Sequence, residues 1–151
     1  FLVITGGEPL QHNLDNFCRI IKKETNIGNQ QSIKIHLETS GVNKISGNFD
    51  WITLSPKRHS PPEFYFLENF NELKIIVNEK KDLDFAIALR KKIMVIDKDS
   101  YHRDNLNVLS KKYYLQPAWK NNKGFSLAIN FVKENPDWNL SLQTHKYLKI
   151  K

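Results

Sequence analysis

The chain has 151 residues, a single cysteine, and 23 Lys and Arg against 16 Asp and Glu, for a net charge of +7. That length suits one domain, 1–151, with one core, and a lone cysteine excludes both an internal disulfide and a multi-cysteine metal site built from this chain alone. No apolar run approaches the roughly 20 residues that cross a bilayer, and no export signal opens the chain, so a cytoplasmic protein without a membrane partner is expected.

In chain order, Phe1-Leu2-Val3-Ile4 is a continuous apolar run, expected as a strand buried on both faces. A chain that opens on such a strand, and without Met, is expected to begin inside a domain. Thr5-Gly6-Gly7-Glu8-Pro9 then leads into a helix over 13–24 with Leu14, Phe17, Ile20 and Ile21 on one face. Cys18 lies in that helix and is expected to be a small buried hydrophobe. The polar stretch 25–31 ends it. Residues 33–37 alternate as a strand, and Glu38-Thr39-Ser40-Gly41 turns out of it. A short strand over 50–54 stops at Ser55-Pro56, where proline removes a ladder donor. Residues 60–63 read as a surface loop.

The second half predicts a strand over 73–77, a helix over 82–91, a strand over 93–96 and a short strand over 113–115 before Gln116-Pro117. A helix over 125–134 follows, then a last strand over 138–142 with Trp138, Leu140 and Leu142 turned to the core. Strands and helices taking turns predict an α/β fold with a mainly parallel sheet. In such folds the loops beyond the strands' C-terminal ends carry the chemistry, and the unusual motifs fall there.

The paired glycines of Gly6-Gly7-Glu8-Pro9 permit positive φ and close approach of a ligand to the backbone. Glu8 offers an acceptor for a cationic amine, and Pro9 stiffens the exit. A phosphate loop would carry a Lys and a Ser or Thr after the last glycine, and neither is present. Taken singly, the loop is equally a tight strand-to-helix turn, Ser55-Pro56-Lys57 a strand terminator, and Gln116-Pro117 a turn. His12, His36, His59 and His102 show no metal-ligand spacing. The basic residues are scattered, with short clusters at Lys22-Lys23, Arg90-Lys91-Lys92 and Lys111-Lys112, and read as a solvated surface rather than a nucleic-acid footprint.

A buried strand running into Gly-Gly-Glu-Pro resembles the loop by which radical S-adenosylmethionine (SAM) enzymes hold the methionine amino group. The later motifs narrow the resemblance to 7-carboxy-7-deazaguanine synthases. Glu38-Thr39-Ser40-Gly41 is similar to their Glu-Thr-Asn/Ser-Gly turn, Ser55-Pro56-Lys57 to their Ser-Pro-Lys, Glu72-Leu73-Lys74 to their Glu-Leu-Lys strand, and Leu115-Gln116-Pro117 to their Leu-Gln-Pro. The run from Trp138 to Leu148, with Ser141-Leu142-Gln143-Thr144-His145-Lys146 within it, resembles their C-terminal signature. These motifs keep the family's order and span the chain.

The resemblance implies a partial (β/α) barrel of the radical SAM type, truncated at its N-terminus. It implies conversion of 6-carboxy-5,6,7,8-tetrahydropterin to 7-carboxy-7-deazaguanine with loss of ammonia, a step toward queuosine in tRNA, initiated by a 5′-deoxyadenosyl radical from SAM. Gly7 and Glu8 would contact SAM. Ser55, Pro56 and Lys57 would border its ribose and carboxylate, and Gln116, Pro117, Ala118 and Trp119 its adenine. Thr5, His145 and Lys151 would face the substrate. The family's Cys-x-x-x-Cys-x-x-Cys loop for a 4Fe–4S cluster, and a Thr that helps hold Mg²⁺, precede the Gly-Gly-Glu-Pro strand and are not in this sequence. No catalytic or metal-binding residue is therefore assigned, and this chain by itself is expected to be inactive. The implied partners are the pterin, a reductant such as flavodoxin or ferredoxin, and a second copy in a homodimer. A glycyl-radical activase, which shares the first motif, and a degenerate basic module binding RNA or protein are the alternatives.

Overall fold

The computed structural model describes residues 1–26, 33–104 and 111–149, with the backbone alone for 99–104. Its residues group into two units, Phe1–Asn71 and Glu72–Lys151, and each is taken in turn.

In the first unit β1 (Leu2–Ile4), β2 (Ile35–Thr39) and β3 (Trp51–Leu54) run parallel, with Val3 opposite His36 and His36 opposite Trp51. The pleat turns Ile35, Leu37 and Thr39 into the core and leaves His36 and Glu38 half-buried on the other face. Ile35, Leu37, Leu54 and Phe66 are fully enclosed, each contributing roughly 1.5–3 kcal/mol by removal from water. Phe66 comes from α2 (Phe64–Glu68), a short helix not expected from the sequence, as is the 3-10 turn Pro9–Gln11. The first sits just after the surface loop at 60–63.

Two expectations for this unit are corrected. β1 is not buried on both faces: Val3 is 41% exposed and Phe1, stacked on the His36 ring at 4.7 Å, is 80% exposed. An apolar run specifies that burial is available, not that both faces find a partner. The helix α1 spans Asp15–Thr25, and its inward face runs through Leu14, Cys18, Ile21 and Thr25. Cys18 is buried as expected, but Phe17 and Ile20 are about half exposed. The 18–21–25 spacing follows the helical turn, and Phe17 and Ile20 fall on its flank. Most of the expected stop at 25–31 lies outside the described residues.

The second unit holds β4 (Glu72–Val77), α3 (Lys80–Asp104), β5 (Lys112–Pro117), α4 (Asn122–Glu134), β6 (Trp138–Leu140) and α5 (Thr144–Tyr147), with β4, β5 and β6 parallel. Each strand is carried to the next by a helix, as parallel pairing requires. Here the expected strand over 93–96 is overturned: those residues continue α3. Leu83, Ala86, Leu89, Ile93 and Ile96 recur every three or four residues and are all buried, while Met94 and Val95 are exposed. Four apolar residues in a row satisfy either period, and packing chose the helical one. The last strand also ends early, at Leu140. Leu142 is 43% exposed rather than core, although the Ser141 N–H still donates to the Leu115 carbonyl. Among the described residues no helix is long and apolar enough to cross a membrane.

Candidate active site

Within the first unit, the residues that follow β1, β2 and β3 are tied together by hydrogen bonds. Register alone carries Thr5 beside Glu38, and its hydroxyl donates to Glu38 Oε2 at 3.2 Å. Gly6 and Gly7 then take φ of 88° and 57°, which a side chain disfavours, and a Cβ placed on either would meet nothing within 4 Å. The loop thus leaves open space against its backbone. Glu8 follows, and its carboxylate turns back onto the end of β2. Oε1 accepts from the Thr39 hydroxyl and the Leu10 N–H, and Oε2 accepts from both the N–H and the hydroxyl of Ser40.

Burial pushes the Glu8 carboxyl upward, but the donors from Ser40, Thr39 and Leu10 outweigh it and hold the group below its ordinary value. Glu8 is therefore a carboxylate at neutral pH. The same strand end reaches the third motif, because the Thr39 carbonyl accepts from the Ser55 N–H at 2.7 Å. Pro56 is buried, Ser55 and Lys57 are half-buried, and Lys57 pairs with Ser60 in a short bridge that folds the segment back. Thr5, Gly6, Gly7, Glu8, Ser55, Pro56 and Lys57 thus belong to one neighbourhood.

In the second unit Gln116 is buried, and its side-chain oxygen accepts from the Ser141 hydroxyl at 3.4 Å. Pro117 ends β5 opposite Val77, and the Ala118 N–H donates to the Val77 carbonyl. Trp119 stands edge-on to Tyr147 at 4.9 Å, with the Lys146 ammonium 5.5 Å from its ring centre. A cavity of about 150 Å³ opens beside Pro117, Trp119, Phe125, Leu142, Gln143 and Tyr147. His145 is exposed on α5, and Lys151 lies outside the described residues.

Thr39 and Ser40 were not singled out by the sequence as members of the site, nor was Tyr147. The signal for the first two was available: two hydroxyl residues at the end of a strand beside the one that delivers the Glu8 carboxylate. Tyr147 carried none, since its approach to Trp119 depends on the short helix α5.

Metal ligands are a different matter. No group of three or more His, Cys, Asp or Glu among the described residues could hold a metal ion, and the one cysteine, Cys18, is buried. These residues do not fit a cluster held by three thiolates.

No family model matches the chain. Curated proteins do. The 7-carboxy-7-deazaguanine synthase of Prochlorococcus marinus is 42% identical over 153 positions, covering 99% of this chain and 67% of the relative. The chain belongs to the 7-carboxy-7-deazaguanine synthase family. A second member, from Synechocystis sp., is 36% identical over all of this chain and 62% of its own length. The crystal structure of QueE from Escherichia coli matches with a TM-score of 0.69 and 25% identity, over 93% of this chain and 55% of that one. The α/β fold is accordingly that of the radical SAM class. The chain spans about two thirds of the first of these 7-carboxy-7-deazaguanine synthases and less of the others.

Proposed function

We propose that this chain supplies the SAM- and pterin-facing part of a 7-carboxy-7-deazaguanine synthase, which converts 6-carboxy-5,6,7,8-tetrahydropterin to 7-carboxy-7-deazaguanine on the way to queuosine. The observation that carries this reading is the open, positive-φ backbone of Gly6-Gly7, fixed at the end of a parallel strand and bonded through Glu8 to the turn that also holds Ser55. A ligand can approach that backbone where a side chain would otherwise stand.

SAM bound there would supply the hydrogen-abstracting group when it is reductively cleaved. The chain's own part is to bind and orient. Gly7 and the Glu8 loop meet the methionine end. Lys57 offers an ammonium to a carboxylate and Ser55 a hydroxyl to a ribose. In the second unit Gln116, Pro117, Ala118 and Trp119 take the adenine. Thr5, whose hydroxyl donates to Glu38, is assigned to the pterin, as are His145 and Lys151. The ligands of the 4Fe–4S cluster and of Mg²⁺ are proposed to come from outside this sequence, because its one cysteine cannot hold such a cluster. Work in the cytoplasm as a homodimer, with flavodoxin or ferredoxin as reductant, completes the proposal.

The test is anaerobic reconstitution of the full-length gene product with iron, sulfide, Mg²⁺, SAM, the carboxy-tetrahydropterin and a reductant such as reduced flavodoxin. Formation of 7-carboxy-7-deazaguanine with one ammonia released per turnover is expected. SAM cleavage that leaves the pterin untouched would refute the assignment. The 151-residue chain alone should give no product and no stable cluster absorbance.

A further inference from the structure

A carboxylate offers about four acceptor positions, and the four of Glu8 are taken by Thr39, Leu10 and the two donors of Ser40. An ammonium could reach this group only by displacing one of them. We propose that Glu8, Thr39 and Ser40 form a latch that positions the Gly6-Gly7 turn for SAM, the Glu8 carboxylate acting on the loop and not on SAM's amino group. The inference rests on the functional reading above and assigns three positioning residues to that site.

The need for a latch follows from the two glycines. With no Cβ and no neighbour within 4 Å of where one would be, they have little of their own to hold them at positive φ. A loop left free would have to be ordered at the expense of ligand affinity. The anchor stands one residue downstream and is itself rigid. Pro9 begins the 3-10 turn, and Thr39 ends a paired strand and is 3% exposed. The Thr39 oxygen accepts from the Gly41 N–H at 3.0 Å, which orients its proton toward Glu8. Because the Thr39 carbonyl also receives the Ser55 N–H, one turn sets three motifs at once. An Asn at position 40 would keep a side-chain donor to Glu8, since its amide also donates.

The experiment compares wild-type full-length gene product with Ser40→Ala, Ser40→Asn and Glu8→Gln. Deuterium exchange is followed over residues 5–8 without ligand, and SAM affinity is measured by titration calorimetry. Ser40→Ala and Glu8→Gln are expected to speed exchange at 5–8 and weaken SAM about tenfold, the size of one charge-assisted hydrogen bond. Ser40→Asn should restore both readouts. Wild-type exchange at 5–8 in Ser40→Ala, or Ser40→Asn as defective as Ser40→Ala, overturns the latch. If Ser40→Ala does not fold, Thr39→Val against Thr39→Ser makes the same comparison. If the wild type binds no SAM, the functional reading falls, and the exchange measurements decide the latch by themselves.

Discussion

The two units solve different problems with the same parallel-strand scheme. In Phe1–Asn71 the defining features are loops: all four described glycines at positive φ lie there, and Glu8, Thr39 and Ser40 bind loop to loop. In Glu72–Lys151 they are helices laid on strands, with Leu73, Ile75, Val77, Ile93 and Leu115 almost wholly enclosed. The first unit spends hydrogen bonds on backbone that would otherwise wander. The second gains its order from apolar burial. Polar constraint therefore concentrates where a ligand is proposed to meet bare backbone.

The largest effect should come from testing burial along α3. Ile93→Ala is expected to cost about 3 kcal/mol through transfer and cavity terms, whereas Val95→Ala, at a side chain 60% exposed, should stay within about 0.5 kcal/mol. Denaturant unfolding of both variants measures the contrast. A large loss at Val95 would restore the strand alternation that the structure rejects.

Glycines sharpen the comparison inside the first unit. At Gly41 a Cβ would stand 2.7 Å from Leu54 Cδ1 and 2.9 Å from Pro62 Cβ, at φ 76°. Gly41→Ala should therefore lose about 2–3 kcal/mol from strain and overpacking together. Gly7→Ala meets open space and should lose only about 1 kcal/mol of stability, yet weaken SAM binding more than Gly41→Ala does at a temperature where both are folded. Equal effects on SAM would remove the distinction between a glycine for packing and a glycine for a ligand.

A capping change probes the second unit. The Asn121 side chain accepts from the Gly124 N–H at the start of α4 and donates to the Asn78 carbonyl. Asn121→Ala should cost about 1 kcal/mol, read as a lower denaturant midpoint. The corresponding position of α1, Leu14, makes no side-chain cap, so Leu14 is not expected to show a cap loss.

The smallest effect is in pH, and the two units should respond in opposite directions. Asp50 is held below its ordinary value by the Ile35 N–H, against the upward push of burial and with help from Lys22 at 3.2 Å. Glu8 is also held low. Both contribute stability that is present above the ordinary carboxylate range and is lost as pH falls through their lowered values. Tyr113 is raised by burial, against the nearby Arg90 guanidinium. Its contribution is present below its ordinary value of 10.0 and is lost as pH rises through the raised one. Hydrogen exchange should show the first unit opening earlier in acid and the second earlier in base. The same order at both extremes would mean that these groups do not govern the difference.

Much of this was legible before folding, and unevenly so. The Gly-Gly-Glu-Pro loop, the Glu-Thr-Ser-Gly turn and the Ser-Pro-Lys segment could be placed at strand ends because glycine and proline restrict the backbone locally. The run at 93–96 could not, because its period is ambiguous until a surface is there to bury it. The face of α1 was misjudged for a related reason: Phe17 and Cys18 are both apolar, and only tertiary packing, which sets the Cys18 sulfur beside Gly47, selected Cys18.

By itself, then, the sequence determined where the motif loops turn, that the fold is α/β with a mainly parallel sheet, and which family the chain joins, since those follow from short-range chemistry and from residues in a fixed order. Only tertiary structure decided that Glu8 bonds to Thr39 and Ser40, 31 and 32 residues away. A hydrogen bond depends on distance and direction in space, and strand register brings those together in a way that no local pattern records.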